Sequence, residues 1–186
     1  MGRIVVSEFV TLDGVIEDPG GAEKSPYGGW AFKFQRGEDG DKFKFEELMN
    51  ADAMLLGRTT YEGFAAAWPQ LNADPFGQRM NEIPKYVVSS TLTEASWNNS
   101  IVLRGDPVHE VTRLKEAANE ILVAGSGRLV SALHTAGLVD EYRLMVFPIV
   151  IGGGKCLFEG VGMPVSLRLA SAMTAADTLL LRYVKG

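Results

Sequence analysis

The sequence has few of the residues that build metal and redox sites: among 186 residues there is one cysteine, Cys156, and there are two histidines. A single cysteine excludes an intrachain disulfide, a C-x-x-C redox pair and a multi-cysteine zinc site. His109 and His134 lack metal-ligand spacing, so no metal site is predicted. These absences favour a reduced, cytoplasmic setting.

Long apolar runs and an excess of basic charge are also missing. The longest apolar run toward the C-terminal end, residues 144–151, is far shorter than the roughly 20 residues of a membrane helix, so no membrane partner is expected. The start of the sequence has an acid, Glu8, where a secretory signal would be apolar. The formal net charge of −5 would repel a polyanion, which argues against nucleic acid as a partner.

What the sequence does contain is an ordinary globular composition, with 46% hydrophobic and 22% charged residues and no repeat, low-complexity tract or linker. This composition predicts one domain spanning residues 1–186. Runs of β-branched and apolar residues predict strands at Arg3–Thr11, Ala53–Leu56, Tyr86–Ser89, Ile101–Leu103, Ile121–Ala124, Tyr142–Val150 and Leu179–Val184, and a weaker one near Ser166–Ala170.

Helix signals fall between several of these strands. Helices are predicted just after Gly57-Arg58, after Asp74-Pro75, after Asp106-Pro107, and from Ser126 to Ala136 before Gly137. Thr59 and Glu62 have the Thr-x-x-Glu spacing of a capping box. Strands that alternate with helices predict an α/β fold, and the strand-rich C-terminal third predicts antiparallel strands at one edge of a mixed sheet.

Two of the predicted strand-to-helix turns have the composition of phosphate-binding sites. In each turn a buried strand delivers glycine and hydroxyl residues to a helix N-terminus, whose free N–H groups and dipole attract anions. An ordinary helix cap is the alternative for either turn alone, whereas the pair together could hold two phosphates. The two turns are Gly57-Arg58-Thr59-Thr60 and Gly125-Ser126-Gly127-Arg128.

Two widespread phosphate motifs do not fit. Val130 stands where the dinucleotide fingerprint G-x-G-x-x-G requires its third glycine, which disfavours a Rossmann domain. Gly152-Gly153-Gly154-Lys155 lacks the G-x-x-x-x-G-K-[ST] spacing of a P-loop.

The ordered set of motifs resembles the dihydrofolate reductase-like superfamily. It is most similar to the branch that contains the reductase domain of the bifunctional riboflavin-biosynthesis deaminase-reductases. The strings that carry the resemblance, spread over nearly the whole chain, are Val5–Gly14, Met54–Glu62, Tyr86–Thr91, Gly125–Gly127, Gly137–Glu141, Pro148–Gly154 and Leu180–Tyr183.

The resemblance implies a three-layer α-β-α fold with a central, mostly parallel sheet, NADPH as the cofactor, and assembly as a homodimer. Matched by position, Gly57, Arg58, Thr59 and Thr60 would lie along the adenosine side and the pyrophosphate. Ser89 and Ser90 would lie near the adenosine 2′-phosphate, and Gly125, Ser126, Gly127 and Arg128 would approach the pyrophosphate and nicotinamide half. The planar donor fork of Arg58 suits a phosphate, so we expect NADPH to be preferred over NADH.

The sequence departs from the family in two places. It has no H-x-E motif and only one cysteine, so the zinc-dependent deaminase activity of the bifunctional enzymes is not expected. Gly125-Ser126-Gly127 also differs from the paired glycines that are usual in the family.

A reductase of this kind needs an acid near its substrate, and Asp41 is the first candidate. Asp41 is predicted at a helix start, on the apolar face with Phe45, Leu48 and Met49, about where the family's folate reductases carry their pterin-binding acid. The alternative is a solvent-exposed N-cap. Asp13, at the end of the first strand, is a second candidate for the catalytic and substrate-binding roles; Asp13-Gly14 is equally a turn signal.

Trp30 is a candidate for an aromatic wall against a planar heterocycle, with a core role as the alternative. The function predicted from these residues and the resemblance is an NADPH-dependent reductase of a small planar nitrogen heterocycle or its ribosyl derivative. Two other hypotheses stay open: a protein that binds a nucleotide or pteridine without turning it over, and a structural dimer module without a cofactor.

Overall fold

A computed structural model describes residues 2–162 and 164–186. The eight strands of this part of the chain are β1 Arg3–Thr11, β2 Ala53–Gly57, β3 Lys85–Val88, β4 Ser100–Leu103, β5 Glu120–Val123, β6 Glu141–Phe147, β7 Leu167–Ala175 and β8 Thr178–Lys185. The five α-helices are α1 Gly37–Asn50, α2 Arg58–Ala67, α3 Pro75–Glu82, α4 Pro107–Ala117 and α5 Gly127–Thr135. None of these helices is long and apolar enough to cross a membrane.

The strands form one sheet in the order β4-β3-β2-β5-β1-β6-β8-β7. The first six strands in this spatial order run parallel to one another. The last two, β8 and β7, are added antiparallel at one edge. The predicted mixed, mostly parallel sheet with antiparallel C-terminal strands is therefore confirmed.

Helices cover both faces of the sheet, because successive side chains of a strand point to opposite sides. On β1, Val5 packs in a buried cluster with Leu48 of α1 and Tyr61 of α2. Its neighbour Val6 packs in a second cluster with Val111 of α4 and with Leu133 of α5. The result is the predicted three-layer α-β-α arrangement.

Several element bounds differ from those that the sequence predicts. β6 ends at Phe147 rather than Val150, because Pro148 has no N–H to donate to the sheet. α1 begins at Gly37, four residues before Asp41. α2 begins at Arg58 with Gly57 as its N-cap, so Thr59 lies inside the helix and the predicted capping box does not form.

The register of the sheet leaves β1 extending beyond its neighbour β5. The last β1–β5 pair is Val6 with Val123, and Val123 is also level with Leu55 of β2. On its other side β1 stays paired with β6 as far as Thr11. β5 therefore ends first, β2 runs two residues further to Gly57, and the last residues of β1 extend beyond the end of β5.

Candidate cofactor and substrate site

The turns that follow β2 and β5 touch each other. A Cβ atom added to Gly57 would lie 3.0 Å from Ser126 Cβ and closer still to Ser126 Oγ. A Cβ atom added to Gly125 would lie 2.6 Å from Thr60 Oγ1. The Gly125–Ser126 peptide bond is cis. The structure thus brings together the two helix starts whose composition in the sequence predicts phosphate binding.

The two helices that start at these turns have no side-chain cap. Neither Gly57 before α2 nor Ser126 before α5 bonds a first-turn N–H through a side chain. By contrast, Asp74 accepts the Gly77 N–H of α3, and Asp106 accepts the His109 N–H of α4. The first N–H groups of a helix have no partner within the helix. Those of α2 and α5 are consequently available to an anion at one place in the molecule.

Ser89 and Ser90 follow β3 at the same edge of the sheet, since Val88 pairs with Gly57. Ser89 is buried, and its Oγ accepts the N–H groups of Thr91 and Leu92 at 3.2 and 2.9 Å, which fixes the turn. Ser90 is exposed. Both serines therefore lie beside the Gly57 turn.

Two arginines flank the touching turns. The Arg58 side chain is 50% exposed, with its Nε 4.0 Å from Glu62 Oε1 on the next turn of α2. Arg128, in the first turn of α5, is also exposed. Neither guanidinium is held in a bidentate pair with a carboxylate, so both are free to turn toward a phosphate.

Glu8 on β1 is a buried acid that sequence reasoning missed. Its Oε1 accepts the Gly125 N–H at 2.8 Å, directly beneath the touching turns. Burial in an apolar layer raises the pKa of the Glu8 carboxyl to about 8, despite the opposing hydrogen bond from Gly125. The signal was present as an acid in the middle of an apolar strand, where an unpaired charge is costly.

On the opposite face of β1, a cluster of three polar side chains, Ser7, Lys44 and Glu47, joins the strand to α1. Ser7 Oγ donates to Glu47 Oε1 at 2.7 Å and accepts from Lys44 Nζ at 2.7 Å. Lys44 also forms an ion pair with Glu47 and lies 5.1 Å from the centre of the Phe9 ring. The other carboxylate oxygen of Glu47 is buried without a partner among the described residues.

Asp41 does not lie where the sequence predicts. Its side chain is 63% exposed and pairs with Arg36, on the surface of α1. The buried stripe of the helix runs through Gly40, Glu47 and Leu48. Asp41 is one residue, or about 100° around the helix, beyond Gly40. The prediction that Asp41 shares the apolar face is therefore wrong, and Glu47 is the acid that does.

Asp13 holds two loops together. Its carboxylate accepts the Thr11 hydroxyl at 2.5 Å and the backbone N–H groups of Gly152 at 2.7 Å and Ile151 at 3.2 Å. These hydrogen bonds, that from Thr11 first, lower the pKa of Asp13 below its ordinary value. Asp13 is therefore an ionised acceptor rather than a proton donor, and it fixes the glycine-rich loop that follows β6.

Trp30 belongs to the core. The side chain is 0% exposed, its ring lies edge-on to Phe147 with centroids 5.2 Å apart, and its indole N–H donates to the Glu17 carbonyl at 2.9 Å. The predicted aromatic wall at Trp30 is wrong, because the 3₁₀ turn at Trp30–Lys33 directs this ring inward against the sheet. Its neighbour Phe32 is the exposed aromatic residue of the turn.

A cleft of about 520 Å³ lies between the loop before Trp30 and the outer side of α2. Its loop is built around the buried Asp18, whose carboxylate accepts the N–H groups of Glu23 and Ser25, both at 2.9 Å. The lining residues are Ala22, Glu23, Thr59, Glu62, Gly63, Ala66 and Ala67. The cleft therefore opens beside the first turn of α2.

A family model for the RibD C-terminal domain matches residues 3–181 of this chain. The chain belongs to the RibD C-terminal domain family. One relative, the uncharacterized protein YyaP of Bacillus subtilis (strain 168), is 30% identical in an alignment 178 residues long that covers 92% of this chain and 88% of that protein.

Solved structures confirm the fold expected for a RibD C-terminal domain. A protein of Shewanella sp. PV-4 assigned to riboflavin biosynthesis matches with a TM-score of 0.79 and 21% identity over 99% of both chains. Dihydrofolate reductase from Enterococcus faecalis, complexed with NADP(H), matches with a TM-score of 0.59 and 13% identity, over 100% of this chain and 97% of that one. The fold is dihydrofolate reductase-like, as the sequence motifs indicate.

Proposed function

We propose that this member of the RibD C-terminal domain family is an NADPH-dependent reductase. Its substrate would be a small planar nitrogen heterocycle of pteridine or pyrimidine type, or the ribosyl derivative of one. The observation that carries this proposal is the contact between the Gly57 and Ser126 turns, which places two uncapped helix N-termini side by side. Membership of a family of reductase domains, and the fold shared with an NADP(H)-complexed reductase, support it.

The residues at the touching turns fit an anionic dinucleotide. Side chains at Gly57 and Gly125 would fill the junction, so both glycines leave the first N–H groups of α2 and α5 accessible there. We assign the pyrophosphate to the first turns of α2 and α5, with Gly57, Thr59, Thr60, Gly125, Ser126, Gly127 and Arg128 around it. Arg58, Ser89 and Ser90 would hold the 2′-phosphate and so favour NADPH over NADH. When bound, NADPH supplies the hydride.

Reduction also requires a proton, which needs a source other than NADPH. The two predicted acids, Asp13 and Asp41, are not equally suited to donate it. Asp13 is an ionised acceptor, so we assign it to loop positioning. Asp41 is exposed, so we propose that it acts only through a water that it orders. The Asp41→Asn variant tests this route: lost turnover supports it, and unchanged turnover removes Asp41 from the proton route.

A second candidate function is binding of a nucleotide or pteridine without turnover. The exposed position of Asp41 and the ionised state of Asp13 favour it, because neither predicted acid delivers a proton directly. Steady consumption of NADPH with a pteridine or pyrimidine would exclude this candidate. Tight binding without consumption across a broad panel would favour it over the reductase.

We also propose that the chain forms a homodimer and works in the cytoplasm. The edge strand β7 carries Leu169, which is 50% exposed and lies opposite Tyr183 of β8. Leu179 of β8, also exposed, shares this face because it is four residues from Tyr183. An edge strand with an apolar face is a natural surface for a second copy.

Calorimetric titration with NADPH and NADH, followed by NADPH consumption assays on pteridines and pyrimidines, tests the main proposal. A ligand selective for the folded state stabilises it by about 2.7 kcal/mol at 100 times its dissociation constant, so NADPH should also raise Tm. We expect the lower dissociation constant for NADPH. Millimolar NADPH without any rise in Tm would contradict the proposal.

A further inference from the structure

We propose that Glu8 positions the phosphate-binding turn at residues 125–128 and that its carboxyl takes up a proton when a phosphate-bearing dinucleotide binds there. Glu8 is not among the residues to which the proposed function assigns cofactor contacts. Its role rests on that function, since it concerns the same turn. The group is a positioning residue, because it acts through the Gly125 backbone.

The position of Glu8 follows from the strand register. Val6 pairs with Val123, so Glu8 is two residues further along β1, level with Gly125 just after β5 ends. The Gly125 N–H, no longer bonded within the sheet, donates to Glu8 Oε1 at 2.8 Å. Thr60 closes the other side of Gly125, as shown by the 2.6 Å approach of its Oγ1 to an added Cβ. The turn is therefore held between two side chains, Glu8 and Thr60, and of these two only Glu8 is ionisable.

The surroundings of Glu8 offset little of the free-energy cost of burying its ionised carboxylate. The side chain points to the α5 face, between Val6 and Val10, whose cluster contains Leu129, Val130 and Leu144. Glu8 is 9% exposed. No cation forms an ion pair with it in the described part of the chain, and the nearby Lys44 pairs with Glu47 instead. Two charges act on it from α1, across the sheet: Lys44 favours the ionised form and Glu47 opposes it.

Binding of a phosphate to the α5 first turn would bring a second negative charge close to this carboxyl. Like charges at short range disfavour the ionised form of each, and the buried setting strengthens the effect. The carboxyl can bind a proton, whereas the pyrophosphate remains ionised. Binding and protonation of Glu8 are then linked, and each promotes the other.

The linkage predicts a direction and a range of pH. Below the Glu8 pKa of about 8, the carboxyl already holds its proton and affinity is constant. Above it, binding must first protonate Glu8, so affinity falls by up to about tenfold for each pH unit. The 2′-phosphate, with a second pKa of about 6, is fully ionised across this range and adds no slope of its own.

The test is calorimetric titration of the full chain with NADP⁺ between about pH 7 and about pH 9.5, in pairs of buffers with different ionisation enthalpies. We expect proton uptake above pH 8 and a rising dissociation constant for the wild type. Glu8→Gln keeps a side-chain oxygen for the Gly125 N–H, so it should bind with a pH-independent constant and no proton uptake. Glu46→Gln, which removes an exposed acid of α1, should retain the wild-type profile.

The outcomes separate this role from the proposed function. If the wild type binds NADP⁺ with a pH-independent constant and no proton uptake, the role of Glu8 is wrong and the cofactor assignment stands. If neither wild type nor Glu8→Gln binds at pH 7, the cofactor assignment itself fails. If Glu8→Gln does not fold, the buffer dependence of the wild-type binding enthalpy still counts the protons taken up and decides the question.

Discussion

Gly57 and Ser126 are 69 positions apart in the chain, yet a Cβ at Gly57 would come within 3.0 Å of the Ser126 Cβ. The backbone of Gly57 is extended, with φ −78° and ψ 160°, so its conformation is open to any residue. The restriction at this position is space alone. Gly57 therefore sets how closely α2 and α5 begin, and with it the spacing of the two N-termini that we assign to the pyrophosphate.

A Gly57→Ala variant should lose dinucleotide affinity by tenfold or more, because the added methyl group separates the two turns. Overpacking of this kind costs roughly 1–3 kcal/mol, so Tm should fall as well. Gly153→Ala is the matched control: it also adds one methyl group to a glycine at the same edge of the sheet, but nothing lies within 4 Å of it. Calorimetric titration with NADPH on both variants checks this, and equal loss in the two would contradict it.

Arg58→Gln should weaken NADPH binding by about tenfold, about 1.4 kcal/mol, with a smaller effect on NADH, because only NADPH carries the 2′-phosphate. The side chain is half exposed, and its ion pair with Glu62 is long, at 4.0 Å. Removal of Arg58 should therefore leave Tm nearly unchanged. Arg113→Gln on α4, an exposed arginine beside Glu110, serves as the control. The ratio of the two dissociation constants is the measurement, and an unchanged ratio would remove Arg58 from the 2′-phosphate site.

Glu8 should make stability depend on pH. Its pKa is raised from an ordinary 4.5 to about 8 in the folded chain, so between these values the folded state holds a proton that the unfolded state has lost. The contribution of Glu8 to the free energy of unfolding is complete below about pH 4.5 and declines as the pH rises toward 8. Glu8→Gln should abolish this decline.

Urea unfolding at acid, neutral and alkaline pH measures the effect as the difference between wild type and Glu8→Gln, which cancels the other titrating groups. The difference should move in favour of the variant by about 1.4 kcal/mol for each pKa unit of the shift, and should level off above pH 8. A constant difference between the two proteins would mean that Glu8 is ionised in the folded chain at neutral pH.

Leu169→Lys should convert a dimer to a monomer, because it puts a charge on the exposed face of the edge strand β7. Ile101 lies on β4, the opposite edge of the sheet, and is 56% exposed, so Ile101→Lys is a matched change that should leave the dimer intact. Light scattering coupled to size exclusion gives the mass of each. A monomeric wild type would overturn the homodimer proposal, and dissociation by Ile101→Lys alone would place the interface at the other edge.

The meeting of the two strand-to-helix turns was predictable because its signals are local. Glycine after a buried strand, followed by an amphipathic repeat, fixes a strand-to-helix turn within a few residues, as at Gly57 and Gly125. The parallel order of the strands then brings both turns to one edge of the sheet. The antiparallel pair β8 and β7 was equally visible, although β7 extends to Ala175 rather than ending near Ala170.

The surroundings of Asp41 were less predictable because they depend on which face of α1 is buried. A one-residue step along a helix turns a side chain by about 100°, and this is enough to expose Asp41 while Gly40 is buried. Trp30 shows the same limit in a loop, since its inward direction follows from a 3₁₀ turn without a clear sequence signal. The position of Glu8 beneath the turn could not be predicted locally, because its hydrogen-bond partner Gly125 is 117 residues away in the sequence.

The Glu8–Gly125 hydrogen bond also bears on how the molecule comes together during synthesis. β1 is made first but lies between β5 and β6, which are made much later. Contacts between such distant parts of a chain form slowly, because a large loop must close before they bring any gain. A nascent chain that has released only α2 presents half of the proposed anion site. Under the proposed function, the ability to hold a dinucleotide should therefore emerge only once β5 and α5 have joined β1 and β2, and the ligand would report that this part of the sheet has assembled.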